Sequence, residues 1–414
     1  MNIKWRTYLT YEQLTYLLLF LFPIAGMLVP GWITNIYNLL FLVGLFYLRR
    51  RKQPLCKEDR IFLLICAIYV AIFFLSALVN GWEPIQTHRL GTELRFWMVI
   101  PIYLLVREQK DAWRWYLFGG LLGIVFIFTQ SYYEVHWEHL STAWGAYSKN
   151  IIGPFAALLG FYALYLWRSQ ASAFLKTAIV LCFLLAMLAT AMSGSRGAYI
   201  GFIAMTITWL LFTMRKRWMV TFLLLAAVLA GVIYNHSVIV KSGVNRALNS
   251  FVVYFHTPDI VHADISDDST EIHMEMWRAA RYFFPDHPIF GVGPGNYHAT
   301  AEKYAAEGKV NPAIAMHTHP HNIFLEDLYS KGIIGFISIL LLLYYPFYIL
   351  YKTRRRSPMS ASLGMVHIIG ISAFSLFDHS PITKNNYSSI LLLGIALFFS
   401  HHLNRIQERE SEHA

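Results

Sequence analysis

The segment His317-Thr-His-Pro-His-Asn-Ile-Phe-Leu-Glu-Asp-Leu-Tyr-Ser-Lys-Gly-Ile-Ile-Gly335 marks the place where the longest polar stretch of the chain turns back into apolar sequence. Three histidines and two carboxylates meet at that edge. Pro320 is tolerated only in the first turn of a helix, so a helix is expected to open at about His321. A histidine there feels the positive end of the helix dipole, which disfavours the imidazolium and keeps a proton-accepting imidazole. A general base needs that state. The alternative is that His317, His319 and His321 are interfacial histidines bonded to backbone or water, and a His-x-His-x-His metal site is a third reading.

Outward from this segment the chain is a membrane protein. Its 414 residues are 56% hydrophobic and only 14% charged, far from the composition of a soluble domain. The apolar residues fall into about a dozen runs of spanning length, near 14–29, 32–48, 61–79, 93–106, 113–131, 150–167, 175–192, 197–214, 218–234, 322–351, 361–377 and 386–402. The expected fold is therefore a single all-α polytopic membrane domain over 1–414 with about 12 transmembrane helices. Nothing resembles a cleavage site after the first run, so that span is expected to be kept.

The net charge of +10 does not imply nucleic acid, because the positions of the charges decide. About two thirds of the 34 basic residues cluster in every second loop, including Arg49-Arg-Arg-Lys52, Arg215-Lys-Arg217 and Arg354-Arg-Arg356. This is the positive-inside pattern, and it puts both termini in the cytoplasm. The outer loops are then 80–92, 132–149, the Ser193–Arg196 turn, 235–321 and 378–385. They carry Trp82, Tyr132, Tyr133, Trp137 and Trp144, as aromatic belts require. Cys56, Cys66 and Cys182 cannot staple the long outer loop, so no disulfide framework or thiolate metal site is implied.

The loop 235–321, between spans 9 and 10, is the one extramembrane segment long enough to fold, and it is expected to pack on the spans beneath it. Asp268 with Glu271 three residues on resembles a capping box opening a helix that Pro285 and Pro288 end near Phe284. Ile272, Met276, Ala279 and Phe283 of that helix can face the membrane side. Gly291-Val-Gly-Pro-Gly295 lacks both the GxGxxG spacing and a preceding strand, so it reads as a tight connection rather than a nucleotide loop. The residues Arg405–Ala414 read as disordered.

Candidate anion-binding groups lie on the same outer side. Arg196 opens the eighth span in Ser193-Gly-Ser-Arg-Gly197, where a helix N-terminus and a guanidinium together suit a phosphate; a snorkelling interfacial arginine is the alternative. Arg278 and Arg281 lie three apart on the outer helix and suit a second phosphate or a solvated face. Arg89 and Arg95 add to the outer positive field. Glu326 and Asp327 stand where carboxylates are costly, and are expected to meet a hydrated cavity or a basic partner. Gly332, Gly335 and Ser338 form a small-residue stripe that lets another span approach.

Arginines able to hold a diphosphate beside a neutral histidine, at the edge of a lipid-embedded bundle, point to group transfer from a lipid diphosphate carrier. His321-Asn322, nine residues, then Gly332-Ile-Ile-Gly335 matches the His-[Asn/Ser/Gln]-x9-Gly-x-x-Gly pattern of the O-antigen ligase and polymerase superfamily, which the chain resembles. The Ser195-Arg196-Gly197 turn and the long loop before the tenth span are similar too. The resemblance implies a metal-independent, inverting glycosyltransferase of the GT-C type in a Gram-negative inner membrane, working without a cofactor at the periplasmic face. Its donor is then O-antigen on undecaprenyl diphosphate, and its acceptor lipid A-core. Carried onto this sequence, His321 is the base and Arg196 and Arg278 hold the diphosphate, with His319, Asn322, Arg281 and Glu326 in support. A polymerase acting on a second undecaprenyl-linked glycan is the neighbouring expectation, and no residue separates the two acceptors. A lipid-linked sugar transporter is the more distant one; paired halves with broken helices at mid-membrane, usual for transporters, are not found.

Overall fold

The computed structural model describes residues 10–169, 172–236, 269–377 and 384–413, with isolated positions between 241 and 256. Among these residues the regular secondary structure is all helical, with no strand. The helices in chain order are α1 (Tyr11–Leu28), α2 (Trp32–Tyr47), α3 (Lys57–Val79), α4 (Pro84–Glu93), α5 (Arg95–Arg107), α6 (Ala112–His136), α7 (Lys149–Ser169) and α8 (Ala173–Ser193). There follow α9 (Arg196–Thr213), α10 (Lys216–His236), α11 (Ser269–Asp286), α12 (Tyr297–Ala306), α13 (Ile323–Thr353), α14 (Pro358–Phe374) and α15 (Asn385–His413). Short 3₁₀ turns lie at Leu48–Arg50 and Pro312–Met316.

A helix lies at each run expected to cross the membrane. Eight of the described helices are both long and apolar enough to do so: α2 with its 3₁₀ extension, α3, α6, α7, α8, α9, α13 and α15. The chain is a polytopic helical membrane protein. Proline inside α1, α5, α7 and α13 fits that setting, since backbone groups freed in lipid are satisfied by neighbouring helices.

The chain divides into two compact units. The first comprises residues 1–70, 91–208 and 341–414. In it α1 packs along α6, α7 along α8, and α15 along α5 and α14. The α1–α6 contact depends on an absent side chain, for a Cβ on Gly119 would sit 2.0 Å from the Phe20 carbonyl oxygen. Helices touch backbone to backbone there, as small residues permit in lipid. Two buried polar centres of this unit are paired. His367 is held between the Tyr162 hydroxyl at 2.6 Å and the Leu391 carbonyl at 2.9 Å. Asp59 accepts from Arg107 Nε at 3.0 Å, from the Tyr103 hydroxyl and from the Cys56 N–H, and the Asn404 amide donates to the Arg107 carbonyl.

The residues 405–413, expected to be disordered, continue α15. Ile406 is buried, and Lys110 and Arg356 pair with Glu408 and Glu410. A polar composition alone misses contacts made to other loops.

The second unit comprises residues 71–90 and 209–340. Its centre is a cluster of Ile272, Met276, Ala279 and Phe283 from α11, Tyr297, Ala301 and Tyr304 from α12, Val310, Ile314, and Tyr329 from α13. Thus the apolar face of α11, expected to turn toward the membrane, forms a core with α12 and the 3₁₀ turn. The Phe283 ring lies 5.0–5.9 Å from those of Tyr297, Tyr304 and Tyr329, a range typical of favourable aromatic pairs. The Tyr329 hydroxyl donates to the Met276 carbonyl and that of Tyr304 to Asp286. The expected cap Asp268 lies outside the described residues. Pro285 does not end α11 but sits in its last turn.

Candidate functional site

The edge at His317–Gly335 is built by one cap and one break. Asn322, not Pro320 or His321, starts α13: its side-chain oxygen accepts from the N–H groups of Phe324 at 3.0 Å and Leu325 at 3.2 Å. Such a cap satisfies donors that a helix start otherwise leaves open. His321 consequently stands one residue before the cap, outside the helix, with φ +50°. A left-handed backbone is uncommon for a residue with a Cβ and concentrates at functional sites.

Three other imidazoles surround His321. Ring centroids lie 4.3 Å away for His319, 5.0 Å for His273 and 5.4 Å for His317. Thr318 Oγ1 bonds His319 Nδ1 at 3.0 Å, and Arg89 reaches the Thr318 carbonyl at 3.5 Å. Burial holds His317 below the usual histidine range. His273 escapes a reading of the sequence because it sits a full module away, on α11, with no motif around it. Among the described residues, no three of these groups converge as metal ligands do.

The break follows after nine intervening residues. Gly332 has φ +67° and ψ −160° inside α13, a conformation essentially reserved for glycine. Helical bonds are lost there, and the freed carbonyls are taken up by the glycine-rich loop. The Tyr329 carbonyl accepts from the Val292 N–H at 2.7 Å and that of Ser330 from Gly293 N–H at 3.1 Å, while Ile333 N–H donates to the Pro288 carbonyl at 2.9 Å. Buried Ser76 of α3 lies 2.7 Å from the Phe290 carbonyl and 2.8 Å from that of Ser330. A Cβ on Gly332 would lie 2.3 Å from the Ile289 carbonyl, and one on Gly291 2.4 Å from the Tyr329 carbonyl. The glycines read as a packing stripe for another span therefore serve a different purpose: Gly332 breaks the helix and admits a loop, and a Cβ on Gly335 would meet α13's own Lys331 and Asp327.

The short helix between cap and break carries the carboxylates. Asp327 meets the basic partner expected of it one turn on, Lys331 Nζ at 2.7 Å, with both side chains at most 1% exposed. Glu326 is buried as well. Roughly 20 apolar residues follow Gly332, sufficient to span a bilayer, so these charges need not lie at hydrocarbon depth.

Of the arginines, Arg278 is 16% exposed and faces Glu275 on its own helix at 4.0 Å. Arg281 is exposed and lies over the Tyr282 ring, its centre 4.7 Å from the centroid, so the two guanidiniums have different partners. Arg95 is buried in the first unit, donating to Ser389 at 3.2 Å and Asn385 at 3.0 Å. Arg196 is the first residue of α9, also in the first unit, and is exposed. Ser195 caps that helix, its hydroxyl accepting from Ala198 N–H at 3.3 Å, after Gly194 ends α8 in a left-handed turn at φ 63°. One of the backbone donors expected to be open to an anion is thus occupied by the cap.

Two comparisons bear on identity. A protein of Haemophilus influenzae, described as uncharacterized, is 21% identical over 402 residues, covering 92% of this chain and 96% of its own. The family model for O-antigen ligase matches residues 180–340, a stretch that contains Arg196, Arg278, the capped His321-Asn322 edge and the Gly332 break. Over this stretch the chain is similar to the O-antigen ligase family.

Proposed function

We propose that the protein is an O-antigen ligase of the GT-C type in a Gram-negative inner membrane, joining O-antigen from undecaprenyl diphosphate to lipid A-core in lipopolysaccharide biosynthesis. The observation that carries this reading is the gathering of three imidazoles around His321, at a strained backbone position between a capped helix and α11, within the region matched by the family model. The distribution of basic residues supports cytoplasmic termini, with the segment 235–321 and the reaction on the periplasmic side.

In this reading His321 accepts the proton of an acceptor hydroxyl as its oxygen attacks the anomeric carbon. The bond from that carbon to the diphosphate oxygen breaks on the opposite face, so the configuration inverts. The diphosphate leaves with the electron pair, and Arg196 and Arg278 neutralise its charge. His319, Asn322, Arg281 and Glu326 support the site, and the step needs no metal ion. Activity that survives chelation is the corresponding expectation.

The deciding experiment is the distribution of glycan between lipid A-core and the carrier pool in a deletion strain, complemented with wild type or His321→Ala. Long polymer stranded on the carrier beside bare core establishes a ligase. Single repeats on the core assign a polymerase instead.

A further inference from the structure

Glu275 is a buried acid with too few partners. Its side chain is 3% exposed. Oε1 receives the Asn311 N–H at a long 3.4 Å, and among the described residues Oε2 accepts no hydrogen bond, facing Arg278 Nη1 at 4.0 Å. A carboxylate withdrawn from water requires close donors or a close cation, and here both stand at the limit of contact. Burial raises the affinity of Glu275 for a proton, against the opposing effects of the Asn311 N–H, Arg278 and Arg281.

The surroundings favour the protonated acid once Arg278 is withdrawn. Tyr297, presented by α12 and 2% exposed, has a hydroxyl without a hydrogen-bond partner among the described residues. Burial pushes its phenol well above the usual range, and the nearby carboxylates Glu326 of α13 and Glu275 act in the same direction. Among the described residues, the groups facing Glu275 are thus Arg278 and Arg281 on its own helix, the Asn311 backbone and Tyr297, on whose phenol Glu326 also acts. Two buried acids and a phenol share one neighbourhood with the largely buried guanidinium of Arg278 and the exposed one of Arg281.

An arginine that must leave an internal carboxylate to grip an anion leaves a buried charge behind unless a proton replaces it. From this geometry, and resting on the donor role of Arg278 above, we propose that Glu275 is the positioning residue of Arg278. It holds the guanidinium against α11 when the donor is absent, and takes a proton from solvent as the guanidinium moves onto the diphosphate. Donor binding is therefore coupled to the uptake of one proton at Glu275. Donor affinity falls as pH rises.

The test uses the full chain in nanodiscs and a short-chain polyprenyl diphosphate-linked N-acetylglucosamine, a diphosphate diester with no proton of its own that titrates near neutrality. Calorimetry in buffers of different ionisation heat counts the protons taken up. Wild type is expected to take up as much as one proton per ligand, with affinity falling up to about tenfold per pH unit where uptake is complete. Glu275→Gln, isosteric with the protonated acid, is expected to bind without uptake and to match or exceed wild type at the high-pH end. Wild-type uptake and slope in Glu275→Gln overturn the proposal.

Infrared difference spectra of wild type, which need no variant, should show a protonated-carboxyl band on ligand binding; its absence overturns the proposal equally. Arg278→Ala separates this inference from the reading it rests on. Lost binding in Arg278→Ala with a wild-type slope in Glu275→Gln removes Glu275 alone. Wild-type binding and transfer in Arg278→Ala remove the donor site.

Discussion

Asp327 and Lys331 form a 2.7 Å ion pair withdrawn from solvent, and Lys331 is the last residue before the break at Gly332. Neither charge has water to fall back on. Lys331→Met, which takes the cation at 2.7 Å away from the buried carboxylate, should destabilise the protein by about 3–5 kcal/mol, whereas Lys331→Met with Asp327→Leu should recover much of that loss. Apparent unfolding temperatures in detergent measure both. A double variant no better than the single would show that the pair also fixes the geometry of the break.

Gly332→Ala should be far worse than a glycine substitution made strained by conformation alone. Gly308 also has positive φ, at +68°, but a Cβ there meets nothing within 4 Å, so Gly308→Ala should cost roughly 1–2 kcal/mol. At Gly332 the new Cβ must displace the backbone at Ile289 and Phe290. The glycine-rich loop should then detach from α13, raising amide exchange at Val292 and Gly293. Unchanged protection at those two amides in a folded Gly332→Ala would count against the docking role.

These two sites show what a sequence can and cannot disclose here. Hydropathy located the helices, because spanning a bilayer demands long apolar runs whatever they pack against. The spacing of His321, Asn322 and Gly332 was also visible, yet its meaning was not. Glycines three apart read equally as a packing stripe or as a break, and only the φ, ψ of Gly332 distinguishes them. Pro320 drew the helix start two residues early, since the amide of Asn322 competes better for the first N–H groups than proline's preference does. His273, Glu275 and Lys331 went unread because each acquires its role from a neighbour supplied by the fold. Helix α4 was missed for the opposite reason, as its sequence Pro84–Glu93 is too polar to stand out from a loop.

His317 should leave a mark on acid stability. Burial depresses its pKa in the folded state, so the unfolded chain binds the proton first. The contribution of the neutral ring is fully present above the ordinary histidine value of about 6.5 and is lost as pH falls toward the folded value. His317→Asn lacks the titration and should flatten the decline of the apparent unfolding temperature between about pH 7 and pH 5. Parallel declines in the two proteins would assign the acid sensitivity elsewhere.

Arg196→Lys tests whether charge or shape matters at the start of α9. A guanidinium can grip a phosphate with two parallel N–H groups, which an ammonium cannot. If Arg196 holds the diphosphate, the lysine variant should lose at least about tenfold in kcat/KM, the cost of one such bond at ~1.4 kcal/mol. Wild-type rates would reduce Arg196 to an interfacial anchor.

Asn322 joins stability to chemistry, because its cap leaves His321 outside the helix at φ +50° among three other imidazoles. Removing the cap in Asn322→Ala should cost about 0.5–2 kcal/mol, while Asn322→Ser, which can still accept from the first-turn N–H groups, should cost little. The loss in turnover should exceed what that stability change explains. Without the cap, the helix can extend backward and relax the backbone of His321, turning the ring from its neighbours. Asn322→Ala should therefore lower kcat with donor KM held, in the direction of His321→Ala, for which a loss on the order of 10²–10⁴ is expected of a general base. A folded Asn322→Ala with wild-type kcat would make the cap purely structural and detach the conformation of His321 from the reaction.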